Sequence, residues 1–144
     1  MPSVTDFPAR GKILSVQDGL VVFSPANTNY EMHLLAEGNV PPDFTTGVIE
    51  ALIHVSARKI WTVRSGGNFV APIFGPPRTL QGRIRYLDEE RMVLHCGVPI
   101  IVALPLDQSV YDLTNGPLTV NRLANVAALP EATFELLTKT VAKA

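Results

Sequence analysis

The chain has 144 residues, with 12 lysines and arginines against 13 aspartates and glutamates, 47% hydrophobic residues, 12 prolines, 10 glycines and one cysteine. That length allows one ordinary domain or two very small ones, and the apolar content excludes a disordered chain. The longest apolar run, residues 98–106, is about half of the ~20 residues that a membrane-spanning helix needs and holds two prolines, so no membrane partner is expected.

The opening residues Met1-Pro2-Ser3-Val4-Thr5-Asp6 lack the basic and apolar regions of a secretory leader, which points to the cytoplasm. From Gly11 onward, short runs rich in Val, Ile and Leu are interrupted by Gly, Pro, Asn or Asp, the pattern of successive strands. Strands are predicted around 11–18, 21–23 and 30–34, followed by a long loop at 37–44 and further strands at 49–55 and 60–63. Residues 64–78 form a connector whose Gly66-Gly67 and Pro76-Pro77 pairs are breakers, although 69–74 is apolar enough for a strand. Ser65-Gly66-Gly67-Asn68 lacks the Lys-Ser/Thr of a phosphate loop and reads as a hairpin turn. Strands follow at 82–89, 92–94 and 100–104, a second long loop at 107–117, then strands at 123–129 and 134–137. At the C-terminus two readings compete. Phe134, Leu137 and Val141 have helical spacing after Pro130, which favours a short helix, whereas the internal repeat favours a strand.

That repeat is visible when Gly11-Lys12-Ile13-Leu14 is set over Gly82-Arg83-Ile84-Arg85, an offset of 71. Val21, Val22 and Phe23 then fall over Met92, Val93 and Leu94. With small shifts at turns, Tyr30, Met32 and Leu34 meet Ile100, Val102 and Leu104, while Ile49, Leu52 and Val55 meet Leu123, Val126 and Leu129. Ile60 and Val63 meet Phe134 and Leu137. The expected fold is therefore all-β, with two tandem OB-like or SH3-like barrel repeats at 9–76 and 77–144 packed on each other. A threefold, trefoil-like barrel with units starting near Gly11, Gly47 and Gly82 is the alternative.

No catalytic constellation stands out. His33, His54 and His95 are scattered and only Cys96 adjoins one of them, so neither a metal set nor a Cys/His nucleophile pair is formed, and no cofactor is expected. Asp88-Glu89-Glu90 reads as the tip of an exposed hairpin. Charge is uneven, however: residues 58–91 carry seven basic side chains against three acids. Arg58, Lys59, Trp61, Arg64, Phe69, Arg83 and Arg85 combine cations with aromatic rings, the ingredients of a single-stranded nucleic-acid face on a small barrel. Against that stands the near-neutral total charge, and strand alternation lets the arginines be merely solvated. The expectation is a non-enzymatic binding or assembly module acting through a protein partner or self-association, with nucleic acid as the alternative ligand.

Overall fold

Residues 9–17 alternate apolar and polar, and the strand they form, β1 (Ala9–Gln17), buries Ala9, Gly11 and Ile13 while Arg10 and Lys12 face solvent. It turns at Asp18 and Gly19, both with positive φ (54° and 81°), into β2 (Leu20–Pro25). Two such residues in succession suit a tight hairpin, because their twist matches that of the paired strands. The computed structural model describes residues 3–38, 40 and 47–137, and all but two short 3-10 turns of its regular structure is strand.

The remaining strands are β3 (Glu31–Ala36), β4 (Ile49–Thr62), β5 (Phe69–Ala71), β6 (Phe74–Gly75), β7 (Thr79–Leu87), β8 (Arg91–His95), β9 (Pro99–Ala103), β10 (Tyr111–Asp112), β11 (Leu123–Ala128) and β12 (Thr133–Leu136), all in one large mixed sheet. Their pairings return on themselves twice. β1, β2 and β3 form an antiparallel meander, β3 runs parallel to β12, β12 is antiparallel to β4, and β4 is antiparallel to β1. Likewise β7, β8 and β9 form a meander, β9 runs parallel to β4, β4 is antiparallel to β11, and β11 is antiparallel to β7.

The 14-residue β4 belongs to both circuits, its first part pairing with β1 and β12 and its second with β9 and β11. A register shift beside Ala57 lets it continue where two separate strands were expected. Similarly, β12 lies in the circuit of β1–β3, at the other end of the chain. Its Phe134 is fully buried with its ring 5.3 Å from that of Phe23.

Local details recur at the offset of 71. Register shifts fall between Ile13 and Ser15 and between Ile84 and Tyr86. A Cβ on Gly11 would strike the Ser24 carbonyl oxygen, and one on Gly82 the His95 carbonyl oxygen.

One apolar core runs through both circuits, with Ile13, Phe23, Met32, Ile53, Ile60, Ile84, Leu94 and Val126 among its members. A small second cluster lies on the outside of the sheet, where the N-terminal 3-10 turn (Val4–Asp6) sets Val4 against Leu52, Val93 and Ile101. This explains why Ala51, Leu52 and Ile53 are buried in succession.

Two expectations need correction. Residues 133–136 are strand where a C-terminal helix over 130–142 competed, and residues 138–142 of that predicted helix lie outside the described residues. Ser65-Gly66-Gly67-Asn68 is not a hairpin turn, since β4 and β5 are not partners: β5 pairs with β7. The segment is a crossing, held by a 2.6 Å hydrogen bond from the Gln81 Nε2 to the Gly67 carbonyl. Among the described residues no helix is long and apolar enough to cross a membrane.

Candidate binding surface

The register of four adjacent strands decides where the basic and aromatic residues of 58–91 go. Trp61 on β4 lies opposite Asn125 on β11, Asn125 opposite Gln81 on β7, and Gln81 opposite Phe69 on β5. In the next row Lys59, Ala127, Thr79 and Ala71 are aligned in the same way. Side chains alternate along a strand, and Ile60, Val126, Leu80 and Val70 take the core face, so Trp61, Lys59 and Phe69 share the outer one. Arg83, opposite Leu123, continues that face. Three strand spacings separate Trp61 from Phe69, about 14 Å at ~4.8 Å per strand.

Trp61 is half-buried and Phe69 is 38% exposed. Arg58, Lys59 and Trp61, with Asp112 and Ala127, line a shallow recess of about 430 Å³. Hydrogen bonds from the Thr114 hydroxyl and amide hold the Asp112 carboxyl below its ordinary value, and the nearby Lys59 cation adds to the effect. Asp112 is thus an anion beside Lys59 and across from Trp61. The face is not free along its whole length, because the 65–68 crossing lies against Gln81. Asn125 Oδ1 is buried without a hydrogen-bond partner. Arg85 is exposed at the β7 register shift and lines neither this recess nor the next.

Arg64 and Arg83 belong to a different recess, at the end of β4 and β11. It holds about 220 Å³ and is lined also by Arg122 and by residues 119–121. Sequence reasoning missed Arg122. It lies 31 residues beyond the end of the basic segment at Arg91, and only the pairing of β11 with β7 brings it to Arg83.

An apolar surface occupies the opposite part of the sheet. Leu20 and Leu35 are cross-strand partners on β2 and β3, 36% and 40% exposed, and with His33, Pro76, Glu131 and Ala132 they line a groove of about 270 Å³. Phe74, on β6 beside β3, is 65% exposed.

The histidines are dispersed: His54 Nε2 lies 3.1 Å from Glu135 Oε1, while His33 and His95 are half-buried elsewhere. Cys96 is fully buried, and burial pushes its thiol far above the ordinary range, which keeps it protonated. Among the described residues, no three His, Cys, Asp or Glu are placed to hold a metal. Comparison of the chain with protein-family models, with curated proteins and with solved structures found no match.

Proposed function

We propose that the protein is a non-catalytic assembly module that associates with a second copy of itself through the outer face of β2, β3 and β6. The observation that carries this reading is the exposure of Leu20, Leu35 and Phe74 on neighbouring paired strands. Covering the apolar surface of the paired Leu20 and Leu35 gains about 25 cal/mol per Å², and Phe74, opposite Glu31 on β3, adds a second apolar contact beyond the groove. Light scattering at micromolar concentration is expected to give a mass above 15.6 kDa. Leu35→Asp and Phe74→Asp should return it to the monomer without loss of β-sheet signal. A wild-type monomer over the whole concentration range would remove the proposal.

A second reading, single-stranded nucleic acid bound along residues 58–91, draws support from Lys59, Trp61, Phe69 and Arg83 sharing one outer face. It predicts retention on single-stranded DNA or RNA that weakens steeply with salt and drops in Arg83→Ala and Arg85→Ala. Salt-insensitive passage of the protein would exclude it.

The same proposal extends to architecture: the two circuits are duplicate small barrels of OB-like or SH3-like size, from 9–76 and 77–144, that exchange their fifth strands. Matched register shifts, the paired close approaches at Gly11 and Gly82, and one parallel closing pair in each circuit support duplication. Two circuits also favour a twofold over a threefold arrangement.

A further inference from the structure

Arginines on this chain meet different fates. Arg10 lies 3.9 Å from the Glu50 carboxylate. At the 220 Å³ recess, by contrast, three arginines from three separate segments converge with no carboxylate within 4.0 Å among the described residues. Each is oriented instead by a neutral acceptor. Arg83 Nη1 donates to the Asn121 carbonyl at 3.0 Å, Arg122 Nη1 to the Asn115 carbonyl at 2.9 Å, and Arg64 Nε to Asn115 Oδ1 at 3.2 Å.

These contacts fix each guanidinium without neutralising it and leave the other donors of each fork unsatisfied by protein. The acceptors are themselves anchored. The Asn121 amide donates to the Ile84 carbonyl at 2.7 Å, the Ile84 amide donates to the Arg122 carbonyl at 3.0 Å, and Asn115 Nδ2 donates to the Thr62 carbonyl at 3.1 Å. The turn at 119–122 is therefore tied to Ile84 within β7 just before β11 begins, and Asn115 to the end of β4. Three like charges lining one recess repel one another, weakly where Arg64 and Arg83 are exposed to water, and a bound anion turns that repulsion into attraction.

We propose that Arg64, Arg83 and Arg122 form a binding site for a phosphate-type oxyanion. Planar guanidinium forks match phosphate oxygens in paired hydrogen bonds, and a doubly charged group with several oxygens can engage three forks where a carboxylate can engage fewer. Size agrees: the recess lies below the ~300 Å³ at which pockets for drug-sized ligands begin, and suits a single phosphate group. The proposal rests on neither reading of the preceding section. It shares Arg64 and Arg83 with the nucleic-acid reading, but its third member, Arg122, lies outside that segment.

The test is an amide NMR titration of the full chain with inorganic pyrophosphate, with chloride at matched ionic strength, and in a second arm with a short oligothymidylate. Saturable shifts are expected at Arg64, Arg83 and residues 119–123 with pyrophosphate and not with chloride. Arg83→Gln and Arg122→Gln should each weaken binding about tenfold, as loss of a charge-assisted pair does. Lys12→Gln, an equal loss of charge on β1, should leave it unchanged. Because Arg83 and Arg122 each also hold a backbone carbonyl, Arg64→Gln, which gives up only a side-chain contact, decides the matter if both other variants are unfolded. Saturation by the oligonucleotide alone, lost in Arg83→Gln, would assign the same phosphate site to a strand backbone. Absence of saturation by both, or wild-type affinity in the arginine variants, overturns the proposal.

Discussion

At Gly11 and Gly82, the absence of a side chain decides whether two strands can meet. A methyl group on Gly82 would run into the His95 carbonyl and the Cys96 amide, both of them backbone, so neither can rotate out of the way. Gly82→Ala is therefore expected to destabilise the protein by about 2–3 kcal/mol, as overpacking in a closed core does, and to lower the melting temperature by about 5–10 °C. Gly67→Ala, where a methyl would meet open space and φ is not positive, should stay within about 0.5 kcal/mol of wild type. Urea unfolding of the two variants side by side checks the contrast, and equal midpoints would show that the β7–β8 approach can relax. Tyr30 acts at the same scale: its hydroxyl donates to the Cys96 carbonyl and accepts from the Val70 amide, both at 3.1 Å, and so joins the residue before β3 to β5 and to the residue after β8.

Among the elements, the hairpins were legible and the long strands were not. Asp18-Gly19 marks the β1–β2 turn through backbone preferences that belong to those two residues, and Asp88-Glu89-Glu90 marks the β7–β8 turn through its polarity. The structure supplies the reason for Asp88. Its carboxylate accepts from the amides of Glu90 and Arg91 and from the Tyr86 hydroxyl, each at 2.8 Å, and these bonds hold it below its ordinary value. A carboxyl lower in the folded than in the unfolded chain stabilises the fold fully above the unfolded value, near 3.8, and loses that contribution as pH falls through the folded one. Asp88→Asn should accordingly be less stable than wild type at neutral pH, with the difference shrinking below about pH 4. Unfolding midpoints measured across that range check it, and a difference independent of pH would mean that the charge is not the source.

Other elements depended on partners distant in sequence. The spacing of Phe134, Leu137 and Val141 suits a helix, yet Phe134 is buried against Phe23 and its strand pairs with both β3 and β4, so tertiary pairing outweighs local propensity. The continuity of β4 through Arg58 depends on an irregular register with β11 that no local pattern announces. The candidate surface divides along the same line. Alternation sufficed to put Arg83 and Arg85 in solvent, whereas the shared outer face of Lys59 and Trp61 follows from the pairing of β4 with β11. Arg122, a single arginine beside no other cation in sequence, acquires neighbours only when β11 lies down on β7.

For the molecule as a whole, the pairing of β12 with β3 and β4, and of β4 with β9 and β11, makes residues 1–76 and 77–144 interdependent. Without residues 77–144, the first circuit loses β12, leaving Phe23 without its ring partner and one edge of β3 unpaired, and β4 keeps only its pairing with β1. Without residues 1–76, the second loses β4, which leaves β9 paired only with β8 and β11 only with β7. Fragments of this size bury only about 60% of their unfolded surface even when complete, so a missing central strand should leave each unable to fold as a monomer. Expressed separately, 1–76 and 77–144 are expected to be unfolded or self-associated, because open edges seek any strand of suitable pattern. Mixed, they should form a one-to-one complex whose circular dichroism matches that of the intact chain. A complex would require no rearrangement of the fold, since the single covalent connection between the halves runs beside β6 and carries none of the pairings that close either circuit. If 1–76 instead folds alone as a stable monomer, the first circuit closes without β12 and these cross-pairings are not what holds residues 1–76 and 77–144 together.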